Sequence, residues 1–131
     1  MPDSSLPPDK IMVVDDEFDI VTIIRRYLEK WGFSVDTFTN PQYAYEIFKS
    51  HPDRYCLVLT DIRMPEMTGI TLANLLIKVK PEIKVVIMTA YEVAPEDLHE
   101  HLPSLSHQDI LLKPFKLLQV CTAVKKQLNG G

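Results

Sequence analysis

The chain has 131 residues, 46% hydrophobic and 24% charged, with a net charge of −4, which suits one globular domain with a single core. Its 14 basic residues are scattered apart from Lys125-Lys126, so no clustered cations invite phosphate backbones, and direct nucleic-acid binding is not expected. No apolar stretch approaches the roughly 20 residues that cross a bilayer, and the N-terminus has no basic segment leading into an apolar one; a cytoplasmic protein without membrane contact is expected.

Residues 1–9 are rich in Pro, Ser and Asp and are expected to be a disordered tail. Then the periodicity alternates. Ile11, Met12, Val13 and Val14 form a short apolar run, a first strand. Over 18–31, Ile20, Ile23, Ile24, Tyr27, Leu28 and Trp31 recur at helical spacing, and Gly32 ends that helix. Residues 33–38 read as a second strand. Asn40-Pro41 is a helix start, and that helix carries Tyr43, Ile47 and Phe48 as far as Pro52. Residues 56–60 are the third strand, 71–79 a helix with Leu72, Leu75, Leu76 and Val79 on one face, and 84–88 the fourth strand. A short helix over 96–102, a fifth strand over 109–112 and a last helix over 115–128 complete the domain, with Leu118, Cys121, Val124 and Leu128 inward. The domain thus spans 10–128, and 129–131 are a tail or the start of a linker.

Five strands, each followed by a helix, imply a parallel sheet covered on both faces. With right-handed crossovers the leading architecture is an α/β doubly wound sheet in the flavodoxin-like order 2-1-3-4-5. The two cysteines, with no Cys-x-x-Cys or Cys/His cluster, read as buried thiols. His99 and His101 are two apart, which points them to different helix faces and argues against a metal site.

The strand ends carry the chemistry. Strand one yields Asp15-Asp16-Glu17, strand three Asp61, strand four Thr89-Ala90 and strand five Lys113-Pro114. In the 2-1-3-4-5 order these ends meet at the switch point, where open α/β sheets bind ligands. Clustered carboxylates raise one another's pKa unless a cation sits among them. Oxygen ligands without nearby His or Cys favour Mg2+, with Mn2+ the second candidate. Lys113 adds a compact positive charge for a phosphoryl group, and Thr89 a hydroxyl. A carboxylate can attack phosphorus to give an aspartyl-phosphate. Nucleophile, metal, counter-charge and oxygen donors together are what phosphoryl transfer to an Asp requires. Capping roles explain Asp15 or Asp16 singly but not Lys113-Pro114 or the Met64-Pro65 turn.

On Val13-Val14-Asp15-Asp16-Glu17, Asp61-x-x-Met64-Pro65-x-Met67-x-Gly69, Thr89-Ala90 and Lys113-Pro114-Phe115, the chain resembles the response-regulator receiver domain of two-component signalling, over roughly residues 10 to 128. The resemblance implies Asp61 as phospho-acceptor and Asp16 as a direct Mg2+ ligand. It implies Asp15 as a ligand through water, and the Arg63 carbonyl as a further ligand. Thr89 would be the switch hydroxyl, Thr89, Ala90 and Lys113 would hold the phosphoryl group, and the Lys113–Pro114 bond would be cis. The donor would be a sensor histidine kinase or His-phosphotransfer protein. The output would be a downstream protein target or a fused output domain outside this chain, through a switching face on the fourth helix, fifth strand and last helix. Such a domain is not an enzyme beyond catalysing its own phosphoryl transfer and slow hydrolysis.

The sequence departs from that pattern at Ile110, where the family usually carries the rotating Tyr or Phe of the switch; Tyr91 is the other switch candidate. Ser106-His107 replaces a small pair, and Arg63 places a bulky cation two residues after Asp61. These departures motivate the alternative of a phosphorylation-independent receiver-like interaction module. A Mg2+-dependent phosphatase is a weaker alternative, because such enzymes carry Asp-x-Asp after the first strand, whereas Asp15 and Asp16 are adjacent. No glycine-rich phosphate loop supports nucleotide binding.

Overall fold

The structure, a computed structural model, describes residues 10–90, 100, 102 and 109–129. Its strands are β1 (Lys10–Val14), β2 (Ser34–Phe38), β3 (Tyr55–Asp61), β4 (Lys84–Thr89) and β5 (Ile110–Leu112). Its helices are α1 (Phe18–Lys30), α2 (Pro41–Ser50), α3 (Gly69–Val79) and α4 (Leu117–Asn129), with a 3-10 turn at Pro52–Arg54. The strands pair in parallel in the order β2-β1-β3-β4-β5, the expected doubly wound sheet. The short helix expected over 96–102, Tyr91 and Ser106-His107 lie outside the described residues, apart from Glu100 and Leu102, as do the expected tail at 1–9 and Gly130-Gly131.

Alternation along each strand divides the core in two. Met12, Val14, Val58, Val85 and Ile87 face one side with Ala44, Phe48, Leu72 and Leu76 from α2 and α3. Ile11, Val13, Leu57, Leu59, Val86, Met88 and Leu111 face the other, with Val21, Ile24, Leu28, Val120 and Val124 from α1 and α4. Strands buried on both faces explain why they read as unbroken apolar runs.

The helix boundaries have local causes. Gly32 adopts φ +95, a left-handed conformation open to glycine, and Phe33 N–H returns to Leu28 O at 3.1 Å. The Asn40 side chain accepts from Tyr43 N–H at 2.9 Å and Pro41 takes the first helical position. Thr68 caps α3 by accepting from Thr71 N–H at 3.2 Å, so that helix opens at Gly69 rather than at 71. The last helix likewise starts at Leu117, not 115, because Lys116 N–H is drawn to Gln119 Oε1 at 2.7 Å.

Three helix faces differ from the expected ones. Ile23, Trp31 and Leu118 are exposed, while Val21, Val120 and Ala123 are buried. Tyr43 is also exposed, edge-on to Phe38 with ring centroids 5.7 Å apart. The amphipathic stripes hold more apolar residues than the sheet can cover, and packing selects one phase of each. Cys121 is buried as expected, whereas Cys56 is only partly so. At the opposite edge from the acidic strand ends, buried Lys80 donates to Pro52 O at 3.1 Å and Tyr55 O at 2.5 Å. Its stem and ammonium thereby tie the start of β3 to the end of α3.

Candidate phosphoryl-transfer site

Strand register brings the chemistry together. Val14 lies opposite Thr60, Asp61 opposite Met88 and Thr89 opposite Leu112, so Asp15, Asp61, Thr89 and Lys113 come level at the carboxyl edge. The alternation 11, 13, 15 on one chain segment, 57, 59, 61 on the next and 111, 113 on the last also sends Asp15, Asp61 and Lys113 to the same side of the sheet. Three residues far apart in sequence become neighbours by parity and register.

The geometry is close. Lys113 Nζ sits 3.1 Å from Asp15 Oδ2, 3.5 Å from Asp61 Oδ2 and 3.9 Å from Glu17 Oε1. Asp15 is wholly buried, and its Oδ1 accepts from Glu17 N–H at 3.0 Å. Neither Asp15 nor Asp16 caps α1, whose N-cap is Glu17 without a side-chain bond. Asp15, Asp16 and Asp61 each present a carboxylate oxygen within 4.8 Å of the others. A cavity of about 320 Å3 is lined by Asp16, Glu17, Asp61, Arg63, Thr89, Ala90 and Lys113. The Thr89 hydroxyl donates to Ala90 O at 3.0 Å, and Lys113 N–H donates to Thr89 O at 2.7 Å, tying β4 to β5 at the site. The Lys113–Pro114 bond is cis.

Electrostatics mark Asp61. Burial first, then the negative charge of Asp15, push its pKa up to about 6 against the opposing pull of Lys113. Burial raises Asp15 as well, despite the Glu17 N–H and Lys113 bonds. For Lys113 burial works against the charge, but the hydrogen bond and attraction of Asp15, then Asp61 and Glu17, more than offset it and the pKa is raised. The cluster is an acid-rich pocket with one ammonium, short of positive charge.

Of the expected site residues, Asp15, Asp16, Asp61, Arg63, Thr89, Ala90 and Lys113 all meet here, with Arg63 through its lining of the cavity. Ile110 does not line the cavity; it is half-buried against the α2/α3 side of the core. Two residues had no role assigned from sequence. Glu17 lines the cavity and approaches Lys113. At Gly69 a Cβ would lie 2.0 Å from Asp61 O, so the turn from Asp61 through Met64-Pro65 folds back onto the backbone of Asp61 itself. Gly69 N–H bonds Ile62 O at 2.9 Å, and Glu66 turns the loop with φ 74. The spacing from Asp61 to Gly69 was visible, but its meaning depends on that return.

Residues 11–125 match the response regulator receiver domain family. The chain belongs to that family. It is similar to the response regulator receiver protein CpdR of Brucella abortus (strain 2308), 32% identical over 91% of this chain and 96% of that one. It is 34% identical to sporulation initiation phosphotransferase F of Bacillus subtilis (strain 168), over 92% of this chain and 94% of that one. A receiver-domain crystal structure from Clostridium thermocellum superposes with a TM-score of 0.82 at 26% identity, over 93% of this chain and 95% of that one. The receiver fold and its place in signalling are therefore shared, and the acid cluster sits where the receiver sheet opens. No helix among the described residues is long and apolar enough to cross a membrane.

Proposed function

We propose that Asp61 is the phospho-acceptor of this receiver and takes the phosphoryl group of a phosphohistidine on a sensor histidine kinase or His-phosphotransfer protein. One observation carries the assignment: Asp61 lines the cavity, with a carboxylate oxygen within 4.8 Å of those of Asp15 and Asp16 and 3.5 Å from the Lys113 ammonium. An Asp61 oxygen attacks phosphorus and its P–O bond forms as the donor P–N bond breaks; the bonding pair stays on the ring nitrogen, and the imidazole, already protonated on its other nitrogen, leaves neutral. Lys113 balances charge on the transferring group, and the Thr89 hydroxyl and Ala90 N–H are the donors at its oxygens. The three carboxylates, all hard oxygen donors, fit a divalent cation; Asp16 and Asp61 would hold Mg2+ directly, Asp15 through water and Arg63 through its carbonyl. When bound, Mg2+ (or Mn2+) neutralises charge on the phosphoryl oxygens. The protein works in the cytoplasm, through a downstream protein target or a fused output domain. It turns over no substrate besides its own acyl phosphate.

Acetyl phosphate with Mg2+ tests this. The intact protein is expected to gain one phosphoryl group, labile to hydroxylamine and mapping to the peptide containing Asp61. Labelling of another residue, or none under conditions where beryllofluoride and Mg2+ bind, sinks the assignment.

The cation and a proton compete for Asp61. Because Asp61 holds its proton up to about pH 6, Mg2+ affinity is expected to be flat above that pH and to fall about tenfold per pH unit below it. Calorimetric titration between pH 5 and pH 8 reads this directly, and an affinity independent of pH across that range contradicts it.

The output route has a structural hint of its own. Ile110, in place of a ring, is half-buried against the core, so communication from Thr89 runs through the Lys113–Thr89 backbone bond and the β4–β5 pairing rather than through a swinging aromatic at 110.

A further inference from the structure

Glu17 is the acid of the site that the phosphoryl chemistry leaves without a role. It follows Asp16 and is the N-cap of α1, where its side chain makes no capping bond. Its carboxylate is 65% exposed and stands 3.9 Å from Lys113 Nζ. Two cavities adjoin at this pair. One is the acid cavity; the other, of about 360 Å3, is walled by the apolar Ile20, Pro114 and Phe115. Among the described residues, Glu17 and Lys113 are the two that line both. A donor whose phosphoryl group enters the acid cavity thus has this pair beside the part that departs. Lys113 is shared among Asp15 at 3.1 Å, Asp61 at 3.5 Å and Glu17 at 3.9 Å, and Glu17 is its farthest and most exposed partner. A phosphoryl group that takes the ammonium leaves the Glu17 charge uncompensated, facing the second cavity.

We infer that Glu17 selects the donor by the charge on its leaving group, favouring P–N donors over acyl phosphates. The inference rests on Asp61 as the acceptor. With acetyl phosphate, the bond from phosphorus to the acetyl oxygen breaks, the pair stays on that oxygen, and acetate leaves with a full negative charge. With phosphoramidate, whose nitrogen is protonated, the P–N bond breaks, the pair stays on nitrogen, and ammonia leaves neutral. That nitrogen still carries part of its positive charge in the transition state. A phosphohistidine protonated on its second ring nitrogen behaves in the same way. A carboxylate beside the breaking bond opposes the first reaction and assists the second. Its repulsion of the phosphoryl oxygens is common to both donors and cancels in the ratio of their rates. Because Glu17 is largely in water, the discrimination is modest, about fivefold.

The test compares second-order labelling rates with acetyl phosphate and with phosphoramidate, at saturating Mg2+, in the parent, Glu17→Gln and Glu17→Asp. Glu17→Gln is expected to raise the acetyl phosphate to phosphoramidate rate ratio about fivefold, whereas Glu17→Asp, which keeps the charge, stays close to the parent. High salt is expected to narrow the gap between the parent and Glu17→Gln. A substitution acting only on folding or on Mg2+ would move both rates together and leave the ratio where it was. An unchanged or lowered ratio in Glu17→Gln, or the same rise in Glu17→Asp, overturns the inference. Labelling that persists in Asp61→Asn overturns the acceptor assignment and the inference with it; a ratio that fails to move while Asp61 is labelled overturns the inference alone.

Discussion

Asp61→Asn is expected to abolish labelling by acetyl phosphate and, in the same protein, to raise stability at neutral pH. The first effect comes from removing the nucleophile. An amide oxygen is a far poorer nucleophile than a carboxylate, and the assigned Mg2+ site loses one charge. The second comes from where Asp61 sits. It is buried beside Asp15 and its pKa is raised to about 6, above the value of about 3.9 for an unfolded chain. Between those pH values the native state holds more protons than the unfolded state, so stability falls as pH rises through that window. Above about pH 6 the buried charge weighs in full. The amide removes it, while Lys113 keeps its 3.1 Å partner Asp15. The gain should be on the order of 1–3 kcal/mol at pH 7 and should shrink toward zero near pH 4. Denaturant unfolding at both pH values, without divalent cations, measures it. A variant less stable than the parent at pH 7 would show that Lys113, not Asp15, dominates the field at Asp61.

Gly69→Ala should do the reverse, damaging both stability and chemistry without touching an ionisable group. The added methyl would meet Asp61 O at 2.0 Å and Asp61 C at 2.8 Å, and both are backbone, so neither side can yield by rotating a side chain. The chain must open the Gly69 N–H to Ile62 O bond or shift the end of β3. Overpacking of this kind costs about 3 kcal/mol, a drop in Tm of roughly 10 °C for a domain of this size. Where the end of β3 yields, Asp61's own carbonyl moves and its carboxylate moves with it. A displacement near 1 Å is enough to slow a positioned reaction by about 100-fold. Thermal unfolding and the acetyl phosphate labelling rate check the two halves separately. A parental Tm with an unchanged rate would mean that the turn has slack.

Much of the site was legible in the chain because its residues come directly after the strands. A parallel strand buried on both faces must read as an apolar run, and the residue that ends the run stands at the sheet edge. Asp15, Asp61, Thr89 and Lys113 could therefore be placed at one edge from order alone. Helix ends at Asn40-Pro41 and Gly32 were legible for a similar reason, since a cap acts within three or four residues. The buried stripes were less so. Ile23 and Leu118 are as apolar as Ile24 and Val120, and nothing local tells which will face the sheet; the neighbouring helix decides.

Local chemistry thus settles which residues reach the carboxyl edge, because strand length and the turn signals that end each strand are short-range properties. Distances, parity and crowding belong to the tertiary structure alone. Asp15 and Lys113 stand 98 positions apart and are 3.1 Å apart in space, through register across β1, β3, β4 and β5. Gly69 reads as an ordinary turn glycine until the chain folds back and leaves no room for a Cβ over Asp61. The basic residues look scattered along the sequence, yet α1 and α4 pack side by side and gather Arg26, Lys30 and Lys125 on one face. Charge and contact act through space, so their sums are fixed only when the packing is.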